Sequence, residues 1–314
     1  MSSTTFVDPS NYIKYIVMQT FHISSILCSI FTLTQLLFNR KLRSILYNHT
    51  SVVLIIISIC DSFLSHPFTL NYLRTGHATP STNAMCISWN FFNVLCATSI
   101  YWTMAWSSME RHLLIFHSSL FTSSRRRLLF HYVSLLIITF IYPLLANIII
   151  ILLYPCTSHF NMSALFCGYV CALKIPSVAL FFRIAHNFIP VSIITSFTLT
   201  LIVRLIKQKR QIRNNRVHWR RYRRMVIQLL TLVSLFLVLT LPSFIVGIVQ
   251  NCCLPTFAVA LQIPYFTFLI RFSTILMPFV CLSSLPEIWF KLLPCKNTQV
   301  RSVATVRARN TPHR

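Results

Sequence analysis

The chain has 314 residues, 55% of them hydrophobic and 10% charged, and its 28 Lys and Arg face only four acids, Asp8, Asp61, Glu110 and Glu287. A soluble domain carries about 25% charged residues, and a soluble α/β enzyme needs more glycine for turns and phosphate loops than Gly76, Gly168 and Gly247 provide. The net charge of +24 raises nucleic acid as a partner, but the placement of the charges argues against it.

Seven apolar segments follow in chain order, roughly 12–38, 47–73, 86–115, 128–154, 180–206, 225–250 and 263–285. Each has at least about 20 residues, enough to cross a bilayer as a tilted helix. Only helices and closed barrels satisfy their own backbone in lipid, and the alternation of barrel strands is absent. The predicted fold is therefore all-α, a seven-transmembrane helix bundle over residues 12–285. Residues 1–11 form a short arm that is polar and lacks a basic start, so no cleavable signal is expected.

The loops after the first, third and fifth segments, together with the tail, hold 23 of the 28 Lys and Arg. Positive charge marks the cytoplasmic side, which predicts a multi-pass protein of the plasma membrane with its amino terminus outside. Membrane lipid is then a partner and nucleic acid is not. On this topology Cys86, Cys156, Cys167, Cys171, Cys252 and Cys253 face the oxidising exterior, where bridges form. The sequon at Asn161 lies outside and is a glycosylation candidate, whereas the one at Asn48 lies inside and should stay unmodified.

The third segment organises the rest. Glu110 and Arg111 stand 24 and 25 residues beyond Cys86, and 25 helical residues span roughly 37 Å, the depth of a bilayer. After the seventh segment, Pro286 and Glu287 open a short amphipathic stretch over 286–295, with Ile288, Trp289, Leu292 and Leu293 on one face. Cys295 is a palmitoylation candidate, and residues 296–314 read as a disordered cytoplasmic tail.

Cys86, Glu110-Arg111-His112, Asp61, and the prolines Pro190, Pro242 and Pro278 together resemble the rhodopsin-like G-protein-coupled receptors over about residues 12–295. Phe236, six residues before Pro242, is similar to the family's sixth-span aromatic. The departures are Thr240 for the usual sixth-span tryptophan, Thr198 for a fifth-span tyrosine, and Met277-Pro278 for Asn-Pro. The resemblance implies a receptor that binds an extracellular ligand in the bundle and activates a heterotrimeric G protein. A chemosensory receptor, of taste or odour type, is the near alternative, and a transporter or channel the distant one. No phosphate loop, HExxH or nucleophile elbow appears, so neither an enzyme nor a cofactor or metal is expected.

By the same resemblance, Glu110, Arg111 and His112 couple to the G protein, with Glu110 restraining Arg111 in the inactive state. No acid lies near Tyr222, Arg223 and Arg224, so the inter-helix ionic latch of some relatives is missing. Asp61, Phe236, Pro242 and Pro278 form the activation core. The family's sodium partners are replaced by Ile100 and Met277, which favours a protonated or water-linked Asp61.

Arg271 costs roughly 2.5–3.5 kcal/mol at membrane depth. It either pairs within the bundle or snorkels outward, or it serves as a pocket cation for an acidic ligand group. Arginine at this position, where opsins carry lysine, argues against an opsin. Asn93 offers no counter-ion, so a monoamine ligand is not expected. Arg183, His186 and Asn187 are further ligand candidates. Cys86 should bridge to the second outer loop, with Cys171 preferred, Cys167 the alternative, and Cys156 then pairing with Cys167.

Overall fold

Proline and glycine decide where the helices start, bend and stop. The computed structural model describes residues 9–116, 123–209, 216–252, 254, 256–283 and 285. The spans are α1 (Pro9–Phe38), α2 (Leu46–Thr75), α3 (Asn83–Phe116), α4 (Ser124–Leu153), α5 (Pro176–Arg204), α6 (Arg216–Cys252) and α7 (Thr267–Ser283). Six of them hold membrane-length apolar stretches and α7 is shorter, at 17 residues.

α2 ends at Gly76, whose left-handed φ of 75° lets its N–H return to the Tyr72 carbonyl at 2.8 Å. It also breaks at Ser65, just before Pro67, which cannot donate into the preceding turn. Pro176 opens α5 at the first turn, where a missing N–H costs nothing. Widened π turns lie at three other prolines: 137–141 before Pro143, 184–188 before Pro190, and 262–266 around Pro264. A fourth, at 148–153, likewise ends two residues before a proline, Pro155, whereas the π turn at 128–133 has no such cause in the sequence.

The polarity of the bundle is that of a membrane protein. Leu27 and Phe38 are 65% and 87% exposed, whereas Ser25 is fully buried. Apolar side chains face the surroundings, and hydroxyls return to carbonyls of their own helix, as Ser29 does to Ser25 at 2.7 Å. α3 is the central rod and packs against α2, α4, α5 and α6, while α1 closes the ring on α2 and α7. The core around Leu54, Met104, Leu229, Phe236 and Met277 joins six helices, all but α4, near the arginine-bearing end.

The helices begin within a few residues of the positions expected from the apolar pattern. The main difference is at α6, which starts at Arg216, nine residues before its apolar part. The expected surface helix at 286–295, the tail at 296–314, Cys295 and most of the 1–11 arm lie outside the described residues.

Candidate functional site

Two buried polar centres sit on α3, one toward each end. The first lies below the loop that joins α4 to α5. Arg271 of α7 donates through Nη1 to Asp61 Oδ1 at 3.2 Å and through Nη2 to Asn93 Oδ1 of α3. The other Asp61 oxygen accepts from the Thr274 hydroxyl at 3.1 Å and lies 3.3 Å from His66 Nε2. Asp61 and Arg271 are almost wholly buried. Three helices thus share one charge-balanced cluster, which a buried carboxylate and a buried guanidinium each require.

This corrects the expectation of a protonated or water-linked Asp61. Taken alone, a carboxylate without its usual partners escapes burial by protonation, but Arg271 supplies the missing charge from 210 residues away. Of the readings for Arg271, pairing within the bundle is the one observed.

A loop residue covers the cluster. Phe166 is 2% exposed and its ring centroid lies 5.1 Å from the Arg271 guanidinium carbon. Phe166, Cys167, Gly168 and Tyr169 all have φ between 53° and 76°, an unusual run for residues with a side chain. Two contacts hold this turn: Asn90 donates to the Phe166 carbonyl at 2.8 Å, and Cys167 is disulfide-bonded to Cys86.

The second bridge joins Cys156 to Cys171. The preferred Cys86–Cys171 pairing is therefore corrected to the Cys167 alternative, and Cys156 takes Cys171 instead. Chain separation from Pro190 did not discriminate between two cysteines four residues apart. Cys167 wins because the left-handed turn carries it to 5.8 Å, Cα to Cα, from Cys86.

The second centre lies at the other end of α3. Glu110 and Arg111 are fully buried there. Glu110 Oε1 contacts His131 Nδ1 of α4, His131 Nε2 lies 2.9 Å from His49 Nδ1 of α2, and His49 Nε2 lies 2.8 Å from the Arg43 carbonyl. Arg111 lies over the Tyr47 ring at 5.7 Å, and the His112 ring is 5.5 Å from that of Phe197 in α5. Gln228 of α6 reaches the Ser51 hydroxyl of α2 at 3.2 Å, both side chains buried.

A disulfide-capped end, an acid–arginine pair at the far end of the same helix and seven spans correspond to one family. The 7 transmembrane receptor (rhodopsin family) model matches residues 29–281. The chain belongs to this family. No curated protein matches it.

In this receptor the residues expected to form an activation core, Asp61, Phe236, Pro242 and Pro278, lie on three helices, α2, α6 and α7. The Phe236 ring lies edge-on to Tyr101 of α3 at 4.9 Å, and the Thr240 hydroxyl that stands for tryptophan donates to the Phe236 carbonyl at 2.7 Å. Pro242 and Pro278 lie inside α6 and α7. Of the ligand candidates, only Asn93 and Arg271 meet each other. Arg183 donates to the Gly247 carbonyl of α6 at 3.2 Å. His186 is buried against Tyr142 of α4 and Phe182, with ring centroids 5.5 and 4.6 Å away. Asn187 is half-buried.

Asn161 is exposed, as a glycosylation acceptor must be, whereas Asn48 is buried and donates to the Leu42 carbonyl at 2.9 Å. His49, His66, His131, Phe166 and Thr274 escaped the sequence reading. A histidine inside an otherwise apolar span was the available signal for His131 and His66.

Proposed function

We propose that the receptor lies in the plasma membrane with its disulfide end outside, takes a ligand from that side and activates a heterotrimeric G protein inside. The placement of 23 of 28 basic residues on the loops and tail of one side supports the orientation. The observation that carries the coupling is Arg111, buried at the end of α3 opposite the Cys86–Cys167 bridge.

A ligand enters above Phe166, which separates the outer loop from the Asp61–Arg271–Asn93 cluster. Beneath it the charges are already balanced, which favours a neutral ligand. An acidic group would have to compete with Asp61 for Arg271, and a monoamine would find no free carboxylate. Ligand binding shifts the population toward a state in which α6 swings outward at Pro242 and Arg111 is uncovered.

The test is nucleotide exchange on a panel of purified G proteins, with the receptor in nanodiscs and a ligand library as the stimulus. Arg111→Ala should abolish stimulated exchange while leaving the folded fraction unchanged. Undiminished exchange in that variant removes the coupling role. Labelling of a cysteine placed beside Arg111 only from outside intact cells removes the orientation.

A further inference from the structure

The connection between α1 and α2 is held more firmly than a charge signal needs. Arg40–Arg43 form one helical turn. Asn39 caps it by accepting from the Lys41 N–H at 3.2 Å, and Leu42 is buried beneath it. Asn48 of α2 donates to the Leu42 carbonyl at 2.9 Å, and His49 Nε2 lies 2.8 Å from the Arg43 carbonyl. The backbone is thus fixed at several points, while the side chains of Arg40, Lys41 and Arg43 are exposed. Sidedness in a membrane depends on how many cations a loop carries, not on their arrangement. A fixed turn that presents them has another use.

That turn edges a cleft of about 230 Å³ between α1, α2 and α4. Leu36 and Leu135 are buried at its floor, Val52 and Val53 are half-buried in its wall, and Tyr132 and Arg43 are exposed at its rim. The cleft opens sideways, beside the exposed side chains of Leu37, Phe38, Leu128 and Leu129, a surface that lies against hydrocarbon in a bilayer. Arg125, Arg126 and Arg127 are exposed at the start of α4, within about two turns of Tyr132. Among the described residues Glu110 is the only acid at this end, and it is fully buried. The exposed charge around the cleft is therefore all positive.

We infer that this cleft binds one anionic phospholipid of the inner leaflet, with an acyl chain against Leu36, Val53 and Leu135 and the phosphate on Arg43 and the arginines that open α4. The choice of leaflet rests on the orientation proposed above; the site itself does not. The occupant needs two parts. An apolar slot that faces hydrocarbon takes a chain. A cationic rim at its inner edge takes an anion, and the arginine fork matches phosphate oxygens in pairs. An acidic peptide would leave the slot empty, a sterol would bring no anion to the rim, and a zwitterionic headgroup would add a cation where the charge is already positive. Anionic lipid is concentrated in the cytoplasmic leaflet.

The experiment uses the full-length receptor in phosphatidylcholine nanodiscs, with a phosphatidylserine that carries a photoreactive diazirine in one acyl chain as the probe. Cross-links should map to the peptides that hold Val53 and Tyr132. Unlabelled phosphatidylserine should displace the probe and added phosphatidylcholine should not. General attraction to anionic lipid loses about fivefold for each basic residue removed, wherever it stands. A charge-assisted contact within a site loses at least about tenfold. Arg43→Gln should therefore weaken phosphatidylserine binding at least about tenfold, and Arg40→Gln, outside the cleft, by about fivefold at most. Val53→Phe fills the slot without changing charge. It should abolish the cross-link at Tyr132 and the rise in thermal midpoint that phosphatidylserine gives the wild type.

Equal losses at Arg40 and Arg43, or unchanged binding in Val53→Phe, overturn the site and leave only a charged surface. Displacement by phosphatidylcholine as effective as by phosphatidylserine overturns the anionic headgroup. Should Val53→Phe not fold, the cross-link map and the comparison of Arg43→Gln with Arg40→Gln carry the decision. These measurements involve no receptor ligand and no G protein, and both leaflets of a nanodisc hold the probe, so failed coupling refutes the receptor reading and leaves the lipid site standing. Cross-linking by probe confined to the outer leaflet of intact cells overturns the inner-leaflet placement alone.

Discussion

Arg271 and Asp61 lie 3.2 Å apart in the middle of the bundle, with Asn93 and Thr274 completing the hydrogen bonds. Removing one member of a buried pair leaves an uncompensated charge and costs about 3–5 kcal/mol, whereas replacing both by uncharged groups costs far less. Arg271→Met should therefore lower the thermal midpoint markedly in detergent. Asp61→Asn/Arg271→Met should recover most of the loss. Equal stability of the single and double variants would show that the two charges are not coupled.

The same guanidinium pairs with Asp61, the carboxylate that the resemblance made a candidate sodium site. A cation already supplied by α7 leaves Asp61 with no need of an ion from solution. The wild-type thermal midpoint should be the same in sodium and in choline chloride at equal ionic strength. Arg271→Met, which exposes the carboxylate to ions, should become more stable in sodium than in choline, since a ligand of the folded state alone stabilises it. A sodium-dependent wild type would place an ion beside Asp61 after all.

The two centres differ in how much of them the sequence disclosed. The spans were legible because lipid demands long apolar runs. Cys86, Glu110 and Arg111 were legible because their spacing matches the thickness of a bilayer. The partners were not. Arg271 and Asp61 are 210 residues apart, and His131 and His49 are 82 apart. Local pattern carries no information about which buried charges meet across helices. The choice between Cys167 and Cys171 depended on a left-handed turn, which Phe166 and Tyr169 do not announce as glycines would.

Disulfide connectivity is directly measurable. Peptide mapping under non-reducing conditions should recover Cys86 linked to Cys167 and Cys156 linked to Cys171. By chain entropy, closing the longer separation of 81 residues stabilises by about 4–5 kcal/mol and the shorter one of 15 by about 3. Cys86→Ser should thus be the more destabilising change, and it should also release Phe166 from Arg271. Recovery of a Cys86–Cys171 peptide would restore the pairing favoured by position alone.

Gln228 and Ser51 offer a neutral substitute for the ionic latch that the sixth span lacks. Their 3.2 Å contact, between two buried side chains, fastens α6 to α2. A single hydrogen bond contributes about 0.5–1.5 kcal/mol, so its loss should shift the balance toward the outward state by about two- to tenfold. Gln228→Ala and Ser51→Ala should each raise ligand-free nucleotide exchange by that factor, and together by no more than either alone. Adding Arg111→Ala should abolish the rise, because an outward α6 without the arginine has nothing to present. Additive effects of the two alanine variants would mean that Gln228 and Ser51 act through separate contacts, and the closed state would need another fastening.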